Sequence, residues 1–127
     1  MNNNLLLKWL LIIGGILELI IGSLLFILDP FLNLLGFSSI PIFTQMAGTF
    51  VFCYGILLII SSRNIEKYVI IPLMNILIRA IMVTFTFFNL KTYLLFLPIT
   101  LFALIYDPVW LVLVLILMKK AGMILRK

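Results

Sequence analysis

Three ionisable side chains stand deep inside apolar runs of this sequence: Glu18 in GGILELIIG, Arg79 in NILIRAIMV and Asp107 in LIYDPVWLV. Two carboxylates and a guanidinium can fix helix register, relay a proton or hold the polar head of a small molecule. Each use requires the three groups to meet away from lipid. A charge at the centre of a membrane helix costs roughly 2.5–3.5 kcal/mol on insertion scales, so three separate exposures are hard to tolerate and mutual pairing relieves them all. Arg79 offers a planar fork that serves one carboxylate bidentately or bridges two. One arginine against two carboxylates leaves excess negative charge. Either one carboxyl carries a proton, or a cationic ligand or second donor completes the set.

Composition places these residues in a membrane. The chain of 127 residues is 65% hydrophobic, with a mean hydropathy of +1.36, against roughly 45–50% apolar usage in soluble domains. A soluble core of this size cannot hide so much Leu, Ile and Phe. Lipid must be the partner. Cys53 is the single cysteine and histidine is absent, which excludes a disulfide framework and removes the commonest ligand of haem iron, zinc and copper. No cofactor, metal site or nucleic-acid partner is expected. The net charge of +5 gathers at the ends of apolar runs, as membrane anchors do.

A spanning helix needs about 20 mostly apolar residues, and four stretches meet that length, at about 8–28, 43–60, 68–89 and 93–118. The first is too long for the h-region of a secretory signal and carries Glu18, so it is read as a retained helix. Lys8, Arg63, Lys67, Lys119, Lys120, Arg126 and Lys127 fall on one side of this layout and Lys91 on the other. That asymmetry places both termini in the cytoplasm. Trp9, Tyr68 and Tyr93 stand at segment ends, as an aromatic belt requires. The outer connection DPFLNLLGF is expected to form a short surface helix, with Asp29 as N-cap, Pro30 in the first helical position and Gly36 past its end. In the last segment Asp107-Pro108 is expected to kink or break the helix near the midplane, because proline removes a backbone donor and disfavours helical geometry before it. The expected fold is therefore all-α: a single-domain, integral membrane four-helix bundle with a short outer-surface helix and a kinked or broken fourth helix.

Counted along their helices, Glu18, Arg79 and Asp107 lie at similar depth. Helical spacing puts Asn75, Arg79, Met82, Thr86 and Asn89 on one stripe; Gly14, Glu18, Gly22 and Leu25 on another; and Thr100, Ala103, Asp107 and Trp110 on a third. In the second segment Gly48, Phe52 and Gly55 form a small-residue seam, with Gln45, Thr49 and Cys53 nearby. Each helix is thus expected to turn small or polar residues inward. The candidate site is Glu18, Arg79 and Asp107, with Asn75, Thr86, Tyr106 and Trp110 as candidate pocket lining. The bland alternative is that the charges fix register and the two aromatic residues simply pack.

The stretches GGILELIIGSLLFILDPFLNLLGF, MAGTFVFCYGILLIISSRN and IYDPVWLVLVLILMKK resemble the small four-helix membrane proteins of the DoxX-like superfamily, especially its DUF4345-type branch. The resemblance implies the same four-helix architecture over about residues 8–120 and maps the acidic position of the last helix onto Asp107. Some relatives are small subunits of quinone-linked oxidoreductases, which implies a quinone-side role. The Asp-Pro pair and Arg79 are particular to this sequence.

Three functions remain open: a non-catalytic module that binds a small amphiphile or quinone or serves a larger membrane complex; an oligomeric, proton-linked transporter using the broken fourth helix; or an intramembrane lipid-modifying enzyme with Asp107 or Glu18 as acid or base. The enzyme reading lacks a clear nucleophile or phosphate loop, and no catalytic residue is assigned. Partners are the bilayer and either a second copy of the chain or another membrane subunit. Topology is directly testable. In a Cys53→Ser background, an impermeant thiol reagent added outside should label Ser38→Cys and spare Arg63→Cys; the opposite pattern refutes the orientation.

Overall fold

The computed structural model describes residues 3–34, 41–88 and 97–124. They form five helices: α1 (Asn3–Phe26), α2 (Leu28–Leu34), α3 (Pro41–Ser61), α4 (Ile70–Phe88) and α5 (Leu97–Lys120). No strand occurs among the described residues. α1, α3 and α4 are long and apolar enough to cross a membrane. Gly36, Ser38, Asn89, Lys91, Tyr93, Arg126 and Lys127 lie outside the described residues.

The distribution of side chains is that of a protein dissolved in lipid. On α4, Asn75, Arg79 and Thr86 are buried while Leu77, Ile78, Ile81, Phe85, Phe87 and Phe88 are exposed. Water would reverse that order, since burial of apolar surface drives folding there. In hydrocarbon the apolar side faces the solvent, and the polar side must find partners within the protein.

The chain divides into two compact units, residues 8–65 and residues 66–127 with the first seven residues. In the first, α1 and α3 approach backbone to backbone. A Cβ at Gly15 would lie 2.7 Å from the Gly55 carbonyl oxygen, and one at Gly55 would lie 2.7 Å from that of Gly15. Gly22 and Gly48 repeat this reciprocity farther along the helices, at 2.8 and 2.9 Å. Small residues are what membrane helices use to come this close, because dispersion rather than water expulsion joins them. Phe26 and Phe52 add a tilted ring pair at 6.2 Å. Gln45, Thr49 and Cys53, expected beside the seam, are instead exposed. A four-residue advance turns a helix by about 40° beyond one full turn, enough to carry them round from the glycine face.

Asp29 also departs from expectation. It falls inside α2, which begins one residue earlier at Leu28, so neither Asp29 as N-cap nor Pro30 as first helical residue holds. Asp29 is 5% exposed, and its Oδ2 accepts a hydrogen bond from Thr44 Oγ1 at 2.6 Å. The carboxylate thereby ties α2 to the first turn of α3. At the other end of α3, the buried Ser61 and Ser62 hydroxyls donate to the Leu58 and Ile59 carbonyls at 2.8 and 2.7 Å, and the Leu58 oxygen also accepts Ser62 N–H at 3.0 Å.

In the second unit α4 packs on α5. Pro72 sits in the first turn of α4, where an N–H would have no intrahelical acceptor. α5 runs without interruption through Asp107-Pro108, so of the expected kink or break the break does not occur. Proline here removes a single intrahelical bond, to the Leu104 carbonyl, and the surrounding helical bonds carry the helix past it. α5 closes on Lys119-Lys120-Ala121-Gly122: Met123 N–H donates to Met118 O and Gly122 N–H to Lys119 O, both at 3.0 Å. With Gly122 at φ 70°, this is a Schellman stop, and glycine takes that left-handed conformation without strain.

The reciprocal glycine contact makes a mutational contrast. Gly55→Ala should destabilise the detergent-solubilised protein by about 1–3 kcal/mol, read by thermal unfolding. Cys53→Ala, two residues away on the exposed side, should stay within about 0.5 kcal/mol.

Candidate functional site

Arg79 meets Asn75, Tyr106, Asp107 and Trp110 of its own unit. Its guanidinium emerges from the buried stripe of α4, where Asn75 stands one turn earlier. Arg79 Nε donates to Asn75 Oδ1 at 2.8 Å, a bond made possible because residues four apart on a helix are neighbours. Arg79 Nη1 donates to Asp107 Oδ1 on α5, forming an ion pair. Two aromatic rings lie against the guanidinium as well. Its Cζ lies 5.1 Å from the Tyr106 ring centroid and 4.5 Å from that of Trp110, within the range of cation–π attraction, worth about 2 kcal/mol or more when desolvated.

One short stretch of α5 supplies three of these groups. Tyr106 and Trp110 are four residues apart, and Asp107 and Trp110 three, so all three project from one face. Asp107 neutralises the guanidinium while the cation lies over both rings. Arginine suits this arrangement because its charge is spread over a flat, weakly hydrated group. A lysine ammonium could satisfy the carboxylate but could not stack. The Arg79 and Asp107 side chains retain 9% and 17% exposure, and Trp110 retains 2%.

Asp107, ranked second to Glu18 as a partner of Arg79 on sequence grounds, forms a direct ion pair. Glu18 is itself buried, in the unit of residues 8–65, with the Tyr54 side chain of α3 within its electrostatic reach. Asn75, Tyr106 and Trp110, the candidate pocket lining, surround the guanidinium. Thr86 does not. It is seven residues from Arg79, about 10 Å along the helix, and its hydroxyl donates to the Met82 carbonyl at 2.8 Å. Met82, expected on the inward stripe, is 54% exposed; three-residue steps fall short of a full turn, and the side chain rotates off the stripe onto the lipid side. The side chains of Thr100 and Ala103 lie outside the description.

The two aromatic residues were the least legible members of this arrangement. Tyr106 and Trp110 read either as pocket lining or as packing, and their spacing from Asp107 put them on the carboxylate's face. Asn75 carried a similar signal, an amide four residues before an arginine. Chemically, the result is a neutralised cation with polar edges and aromatic walls, suited to binding. Among the described residues, no group of three or more His, Cys, Asp or Glu side chains could hold a metal ion.

No family model matches the chain, and no curated protein or solved structure is significantly similar to it.

The Arg79–Asp107 pair predicts strong non-additivity. Removing one partner of a buried pair typically costs about 3–5 kcal/mol, because the other charge stays buried. Arg79→Gln and Asp107→Asn should each lose an amount of this order in unfolding measurements, and the double variant much less than their sum. Simple additivity would show that the two do not depend on each other.

Proposed function

We propose that this chain is a small, non-catalytic membrane module that holds a small amphiphile, either a lipid or a quinone, beside Arg79. It acts alone or as a subunit of a larger membrane complex. One observation carries the reading: a neutralised guanidinium walled by two aromatic rings on the α4–α5 pair. Register alone needs the ion pair. It does not need a tyrosine and a tryptophan over the same cation, and rings flanking a polar anchor are how amphiphile sites combine apolar bulk with a few placed polar groups.

In this proposal the chain crosses the membrane four times, with both ends in the cytoplasm. α5 is 24 residues long, about 36 Å at the helical rise, and ends in Lys119 and Lys120, as a cytoplasmic helix end does. Membership of the DoxX-like superfamily, with the quinone-side role it implies, belongs to the same proposal and rests on the stretches quoted above. The transporter reading loses its motive, since it drew on half-helix ends at Asp107-Pro108 and α5 is continuous there.

Native mass spectrometry of the protein released from mild detergent tests the binding claim. A one-to-one adduct with the mass of a lipid or quinone should accompany the wild-type chain and weaken in Tyr106→Leu; bare chain throughout would refute it.

A further inference from the structure

Trp110 carries a donor that the Arg79 arrangement does not use. The side chain is 2% exposed, and its Nε1 is fully buried without a hydrogen-bond partner among the described residues. The ring's face is occupied by Arg79, at 4.5 Å from the centroid. An indole N–H lies in the ring plane, so it points off the ring's edge, away from the guanidinium. Two acceptors of this neighbourhood are already engaged: Asp107 Oδ1 by Arg79 Nη1 and Asn75 Oδ1 by Arg79 Nε. Indole nitrogen can only donate, and native folds rarely leave a buried donor unanswered. At membrane depth bulk water cannot supply the missing acceptor.

We infer that Trp110 Nε1–H donates a hydrogen bond to a carbonyl oxygen of a bilayer-dissolved amphiphile bound beside Arg79. The inference rests on the amphiphile-binding reading and narrows its ligand class. A neutral acceptor fits better than an anion. The Arg79 charge is matched by Asp107, so an added carboxylate or phosphate would enter a low-dielectric site with no free countercharge. A carbonyl oxygen asks for no such compensation. It accepts one directed bond, and the apolar body that bears it packs against aromatic and aliphatic surface. Ester lipids and quinones both bring such an oxygen, and the two sources can be separated.

The chain contains two tryptophans, so Trp9→Phe leaves Trp110 as the single indole reporter. The indole ¹H–¹⁵N resonance of this variant, labelled with ¹⁵N-tryptophan, is recorded in three nanodiscs: ether-linked diphytanyl phosphatidylcholine, which has no carbonyl; the same lipid with decylubiquinone; and the ester-linked diphytanoyl lipid. A saturating downfield shift on quinone addition supports the inference and names a quinone-type source. A downfield resonance in the ester disc, relative to the ether disc, supports it and names a lipid source. Identical resonances in all three overturn it. Trp110→Phe keeps a ring over Arg79 and deletes the donor; it should weaken the corresponding adduct about tenfold, whereas undiminished binding overturns the inference. An adduct in native mass spectra with an invariant Trp110 resonance would leave the binding reading standing and defeat this assignment alone.

Discussion

A guanidinium in hydrocarbon must be matched in charge, in hydrogen bonds and across its faces, and the second unit of this protein is arranged around that requirement. Asp107 meets the charge, Asn75 accepts the Nε–H hydrogen bond, and Tyr106 and Trp110 set their rings against the cation. The match fixes the packing of α4 on α5. Sliding one helix by a turn moves its side chains about 5.4 Å, which would leave both charges without their partner at a depth where neither is solvated. Rotating α5 would withdraw Asp107 and both rings together, because they share one face. Apolar contacts between the same helices would discriminate far less, since a leucine finds equal company in lipid.

The first unit solves helix packing in a different way. α1 and α3 meet through Gly15 with Gly55 and Gly22 with Gly48, where the absence of side chains brings backbones into direct contact. Its specificity is steric: a methyl group in the seam would collide with a carbonyl oxygen. Where this pair approaches its end, Asp29 and Thr44 supply a polar tie, binding the short α2 to α3. One chain therefore uses both devices available to membrane helices, close contact between small residues and polar bonds made where water is absent.

Much of this was legible in the residues. The lengths of the apolar runs located the long helices to within a few residues, because bilayer thickness sets span length. The four-residue stripe through Asn75 and Arg79, and the glycines of α1 and α3, were also correctly read as buried faces. The failures share a cause. Met82, Gln45, Thr49 and Cys53 were assigned inward by residue type or approximate spacing, but three-, four- and seven-residue steps drift around a helix of 3.6 residues per turn. A weakly polar side chain also gains little by following the core in a membrane. Asp107-Pro108 does not break α5, since proline's intrinsic preference to interrupt a helix yields to the surrounding helical bonds. Tyr106 and Trp110 were legible as pocket lining but not as partners of Arg79, because aromatic residues occur throughout membrane helices. Their role appears when the residues between them are tied to a partner on another helix.

The amphiphile-binding proposal and the architecture depend on the same pair of side chains, so the pair is the point to measure. Rotational-echo NMR between guanidino-¹⁵N arginine and ¹³Cγ aspartate, on the protein in lipid bilayers, reads it directly. Asp29→Asn leaves Asp107 as the sole labelled carboxylate, the chain having no other aspartate. Strong dephasing corresponding to a nitrogen–carbon separation of about 4 Å or less is predicted, as a charge-assisted contact requires, and it should vanish in Arg79→Gln. Absence of dephasing in a folded, bilayer-embedded sample would contradict the account, because Arg79 would then be neutralised by some other group.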